Sequence, residues 1–163
     1  MLVHIKSGSI VPLQSTEELK SPITLNQMTG VRTDLAVLLD SEFNAFGSVI
    51  HDDGKTTDLR EYSEVTFAAS GKKAEVTLAF IHAHGGAEIT TDNAKLGKIM
   101  IYDAAKSGFT DKTTGSLIME GEQTATAITV ESLDKTTGIL TLTYTRDPPL
   151  LSKISHIELK ISK

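Results

Sequence analysis

The sequence predicts an all-β protein, an antiparallel β-sandwich. Three observations carry that reading. Apolar and polar residues alternate with a period of two along most of the chain, as half-buried strands require. Turn residues (Asp53-Gly54, Ser70-Gly71, Gly85-Gly86) separate the alternating runs at hairpin spacing. No long stretch shows the 3.6-residue period of an amphipathic helix. About nine short strands joined in this way form two packed antiparallel sheets in the usual case.

Taken in order, "LVHI" and "SIVPLQ" are short extended runs joined at Ser7-Gly8. Gln14 to Gly30 is polar and contains Pro22, so it reads as a linker or irregular crossover. "DLAVLLD" (Asp34 to Asp40) is continuously apolar, which suits a central strand covered on both faces. "GSVIHD", "EVTFAAS", "AEVTLAFIHAH", "KLGKIMIYDA", "GSLIME", "ATAITVES", "GILTLTY" and "ISHIELKIS" follow as strands. The unit D-K-T-T-G-x-L occurs twice, at Asp111 to Leu117 and Asp134 to Leu140. The expectation is a pair of like hairpin turns, with Asp opening each and Gly115 or Gly138 taking the positive-φ position.

Size and composition narrow the function. At 163 residues the chain is too short for a (β/α)₈ barrel, which needs ~250. Its 39% hydrophobic and 23% charged residues are those of a soluble globular protein, and no apolar run is long enough to span a membrane. A net charge of -5 lacks the clustered basic face that nucleic acid demands. No cysteine is present, so disulfides and thiolate metal sites are excluded. Met1 leads directly into "LVHIKSG" with no signal peptide visible, and the chain reads as an excised piece of a longer polypeptide.

Two motifs stand in order near the N-terminus: "HIKSGSIVPLQ" (His4 to Gln14) and, after "LAVLLD", "FGSVIHDDGKTTD" (Phe46 to Asp58). Together they resemble landmarks of glycoside hydrolase family 31, the α-glucosidases. In that family H-[VI]-R-G-G-x-I-x-P-L-Q lies near the end of a proximal β-domain, and G-x-[LV]-[FY]-W-D-D-G-[EK] lies in a distal one. Lys6, Ser7 and Ser9 replace the family's Arg, Gly and aromatic residue, and His51 replaces its Trp, which marks a divergent relative. The resemblance implies that residues 1–14 close a proximal β-domain, 15–33 are a linker, and 34–163 form the distal C-terminal β-sandwich. The segment His4 to Gln14 is then expected to be poorly anchored, since its partner strands would lie upstream. The resemblance also implies a parent enzyme that hydrolyses α-glucosides with retention through a barrel preceding residue 1. Lysosomal, endoplasmic-reticulum or secreted placement of that parent follows from the same likeness. The barrel and proximal domain would be this segment's partners, with α-glucan as a further candidate.

Candidate chemistry is sparse. Asp52-Asp53 before Gly54 could serve as an acid–base pair or a calcium loop, but glycosidase carboxylates sit ~5–9 Å apart across a cleft. Adjacent strand residues point to opposite faces, and "DDGKTTD" adds only Asp58 as a further carboxylate ligand. An Asp-Gly hairpin turn is the preferred reading, so Asp52, Asp53 and Gly54 are expected to be structural. His82 and His84 form an i, i+2 pair on one strand face, with His51 or His156 as a third metal ligand; solvated or hydrogen-bonded histidines are the plainer reading. A sugar platform needs exposed aromatic rings. There is no Trp, Phe67, Phe80 and Tyr144 are expected in the core, and Tyr62, Tyr102 and Phe109 are the ones left to be exposed. No catalytic residue, metal or cofactor is assigned. The expectation is a non-catalytic domain, with an independent carbohydrate-binding module as the alternative.

Overall fold

The computed structural model describes residues 4–15, 32–51, 62–85, 94–144 and 147–162, with His51, His84 and Gly85 described by backbone alone. It is nearly all β. Among the described residues ten strands run β1 (Ser9–Gln14), β2 (Arg32–Leu38), β3 (Ala45–His51), β4 (Tyr62–Lys72), β5 (Glu75–Gly85), β6 (Lys95–Ile101), β7 (Thr113–Met119), β8 (Thr126–Asp134), β9 (Ile139–Tyr144) and β10 (Ile154–Ile161). Among those residues one helical turn, α1 (Ala104–Ser107), and a 3-10 turn at Leu151–Lys153 interrupt them.

The two-sheet antiparallel sandwich is not what these strands build. They close into one ring, β1-β2-β6-β9-β8-β7-β10-β5-β4-β3, in which β3 returns to β1. Pairing is mixed, since β2/β6 and β1/β3 are parallel while the other ladders are antiparallel. Alternation specifies strands and faces, but neighbours depend on where crossovers land. Here β6 lies beside β2 and runs parallel to it, with Leu35 opposite Ile99.

Two strand glycines permit the closure. A Cβ on Gly47 would fall 1.9 Å from the carbonyl oxygen of Ile10, where β3 approaches β1. A Cβ on Gly97 would fall 1.9 Å from Asp34 Oδ1, the oxygen that accepts the Lys98 N–H at 2.7 Å. That carboxylate fills the place where the β2/β6 register shifts between Thr33 and Leu35.

β1 is firmly paired, contrary to the expectation for residues 9–14. It matches β2 over Ser9↔Leu38 to Gln14↔Thr33, and Ile10 is buried in the core. β2 itself lies between β1 and β6 with Leu35, Ala36 and Val37 all buried, as its unbroken apolar run predicts.

The inner face holds Phe67 and Phe80 as cross-strand partners, their rings edge-to-face at 5.3 Å and 88°. Leu35, Leu96, Ile99, Leu140, Leu142 and Ile157 complete the packing around them. One end of the ring is sealed by α1. Gly108, at φ 85°, ends that turn, and Phe109 N–H donates to the Ala104 carbonyl, folding the Phe109 ring into the core at 1% exposure. The expectation of an exposed Phe109 is thereby corrected.

The repeated D-K-T-T-G unit takes two unlike structures. At the second copy Asp134 Oδ1 accepts from Thr136 N–H at 2.8 Å, Thr137 Oγ1 donates to Asp134 Oδ2, and Gly138 has φ 71°, the expected turn. At the first copy Thr113 is already in β7 and buried, and Gly115 is a strand residue whose Cβ would fall 2.5 Å from the Glu158 carbonyl. Gly71 behaves similarly. It pairs with Val76 inside the β4/β5 ladder, and the turn falls at Lys73-Ala74, with Ala74 at φ 64°.

Candidate functional site

Strand register places the residues singled out above. Odd positions of β4 face inward, since Ser63, Val65, Phe67 and Ala69 are all buried. In the backbone register His51 is opposite Ser63 and Ser63 is opposite His84, while His82 is opposite Val65. These positions lie at the ring end opposite α1. Asp52, Asp53, Gly54 and Asp58, which follow β3, lie outside the described residues.

His82 is pinned rather than free. Its Nε2–H donates to the Ile154 carbonyl at 2.9 Å, which ties the end of β5 to the start of β10, and its buried Nδ1 has no hydrogen-bond partner among the described residues. His156 points to the other face of the sheet, with Nδ1 3.1 Å from Ser155 Oγ and Nε2 3.8 Å from Glu158. His156 therefore does not join His82. Among the described residues no group of three His, Asp or Glu side chains is placed to hold a metal.

Of the aromatic candidates for a sugar surface, Tyr62 and Tyr102 are half-buried and Phe109 is in the core. The Tyr144 hydroxyl donates to the Leu96 carbonyl, a polar contact at the rim of the core. A groove of about 500 Å³ opens where β7 and β8 diverge beyond Gly115↔Ile128, lined by Asp111, Lys112, Thr114, Thr129, Val130 and Ser162. It is hydroxyl-rich and holds no ring.

The surface that composition did not predict is apolar. Phe46 (62% exposed), Ile50 (63%) and Ile81 (56%) project outward from β3 and β5. Cross-strand rows join them: Phe46 with Ala68 and Ala79, Ser48 with Thr66 and Ile81, Ile50 with Glu64 and Ala83. The alternation of "AFGSVIH" supplies apolar residues to both faces of β3, so the outward set could not be told from the inward one.

The sequence matches no protein-family model and no curated protein. Its fold does match solved structures. Superposition on ER glucosidase II, solved as a heterodimeric complex of its catalytic subunit with the binding domain of its regulatory subunit, covers 96% of this chain with a TM-score of 0.65 and 17% identity. The α-1,4-glucan lyase of Gracilariopsis lemaneiformis gives 94%, 0.60 and 16%, and the family 31 dextranase of Flavobacterium johnsoniae gives 96%, 0.56 and 11%. The chain spans only 17%, 16% and 19% of those three chains. At these identities the likeness is one of fold. The class so defined is one of fold, a closed β-rich domain that recurs as a small part of these three larger enzyme chains.

Proposed function

We propose that this chain is the non-catalytic C-terminal β-domain of an α-glucosidase-like hydrolase of family 31, supporting the fold and packing of the catalytic barrel. One observation carries the reading: nearly the whole chain superposes on less than a fifth of each neighbouring enzyme. The ordered motifs from His4 to Gln14 and from Phe46 to Asp58 agree with it. The parent enzyme would cleave α-glucosidic bonds, with its nucleophile and acid in the barrel rather than in this segment.

In this reading the distal domain comprises residues 34–163 together with β1 and the start of β2. β1 completes its sheet, so the boundary with the proximal domain is moved to the N-terminal side of Ser9, where Ile10 enters the core. Asp52, Asp53 and Gly54 are assigned a structural role.

A second reading, an independent carbohydrate-binding module, has the hydroxyl-lined groove beside Thr114 and Thr129 in its favour. Without a stacking ring, each polar contact there would contribute only ~0.5–1.5 kcal/mol after water is displaced. The two readings separate in the genomic reading frame. A barrel-sized catalytic segment of at least ~250 residues upstream is expected under the first, and a free-standing frame with saturable maltotriose binding in the groove would replace it by the second.

A further inference from the structure

We propose that the seam between β7 and β8 is a strand-addition site, open to one extended segment of a separate polypeptide. Strand pairing alone carries this, independently of the proposed function. β7 and β8 share three register pairs, Gly115↔Ile128, Ser116↔Ala127 and Leu117↔Thr126. Among the described residues β8 then runs on to Asp134 with register partners on β9 alone, and Thr113 and Thr114 at the start of β7 have theirs on β10 alone. The groove of about 500 Å³ lies between these two edges, with Thr113, Thr114, Thr129 and Val130 on its walls.

Backbone direction aims polar groups into the seam. Ser162 N–H donates to the Lys112 carbonyl, and Glu120 N–H to the Lys153 carbonyl. Even positions of β7 thus serve the β10 side, and Thr113 turns toward β8. Gly138 N–H donates to the Asp134 carbonyl in the β8/β9 hairpin, so Leu133 turns the other way, toward the seam. Such an edge is a template for another strand.

The molecule itself shows what a gap of this kind takes. β6 and β9 also share three pairs, Ile99↔Leu142 to Ile101↔Leu140, and then part. There Leu96 N–H donates to the Pro149 carbonyl at 2.9 Å, and Leu151 N–H to the Ala94 carbonyl at 2.8 Å. Leu150 between them is extended and bridges Lys95. The filling is a lone stretch of extended backbone, and among the described residues the β7/β8 gap has no counterpart to it. A second folded copy fits less well, because β8 lies in a ring between β7 and β9 and cannot enter a slot as a single chain does. Thr114, Thr129 and Ser162, with Asp111 and Lys112 of opposite charge, suit a neutral segment of β-branched and hydroxyl residues without a bulky ring.

Titration of a blocked pentapeptide of alternating valine and threonine into the isotope-labelled chain, followed by NMR, tests this. Saturable amide shifts are expected at Thr113, Thr114, Val130 and Leu133, with Val65 and Phe67 unmoved. The same peptide N-methylated at alternate residues keeps its side chains and loses donors, so it should bind about tenfold more weakly. Thr129→Trp, at an exposed position on the groove wall, should weaken the parent peptide to a similar degree. Absence of saturable shifts would overturn the inference, as would equal binding of the N-methylated peptide. Slow exchange of the Leu133 amide in the peptide-free protein would also overturn it. Exchange slow at every protein concentration would mean that the chain fills the slot itself, and exchange that slows as concentration rises would mean that a second copy does.

Discussion

Gly47 lies directly against the backbone of Ile10, with no room for even a methyl group between β3 and β1. The atom that would be struck is a backbone carbonyl oxygen of a strand paired along its length with β2, so it cannot swing aside as a side-chain tip would. Gly47→Ala should therefore destabilise the domain by about 1–3 kcal/mol or more through forced separation of the two strands. Ser48→Ala, one residue on and exposed, should stay within about 0.5 kcal/mol. Urea unfolding of both variants checks the contrast, and equal midpoints would show that β1 is not clamped by β3.

The same closure makes a kinetic statement. Because Ile10 is buried and β1 is paired along its length with β2, amide exchange at Val11 and Leu13 should be slowed into the range of the sheet, within about tenfold of Val76 to Phe80. Exchange at coil rates in β1 would restore the view that the segment lacks partners here.

Asp34 and Gly97 form a second clamp. Asp34→Ala strands the Lys98 N–H and should cost about 1–3 kcal/mol. Gly97→Ala drives a methyl into the Asp34 carboxylate and should cost at least as much. The double variant removes both the carboxylate and the collision, so its loss should be smaller than the sum of the two, by 0.5 kcal/mol or more. Strict additivity in a denaturation cycle would mean that the two residues do not act on each other.

Asp134 supplies the pH signature. The Thr137 hydroxyl, then the Thr136 and Thr137 amides, hold its carboxyl below the usual 3.8. A depressed folded value means a stabilising contribution that is present above the unfolded pKa and fades as pH falls through the folded one. Carboxyl carbon NMR should place the Asp134 midpoint below 3.8, and Thr137→Val should raise it. An unchanged midpoint in that variant would deny the hydroxyl its role.

These clamps show where sequence reading succeeds and where it stops. Alternation in "EVTFAAS" and "AEVTLAFIHAH" reports β4, β5 and their inward faces directly, and the unbroken "DLAVLLD" reports a covered strand. Ring closure is different, because it depends on backbone proximity at Gly47 and Gly97, and a strand glycine looks the same whether it meets a carbonyl, a carboxylate or solvent. The two D-K-T-T-G units make the point more sharply. Identical residues form a turn after Asp134 and enter a buried strand after Asp111, since Thr113 and the Glu158 backbone, far apart in sequence, decide the second case. The exposed Phe46 and Ile50 escaped notice for the reason that both faces of β3 are apolar.

The central claim is that this chain lends structure to an enzyme whose chemistry lies elsewhere in the same polypeptide. Assay of nitrophenyl α-glucoside hydrolysis by the 163-residue chain and by the full polypeptide, purified in parallel with mock controls, tests it most directly. The account predicts turnover by the full polypeptide and none by the isolated chain, which lacks an assigned carboxylate pair to supply the rate. Turnover by the isolated chain at a rate comparable to the full polypeptide would contradict it.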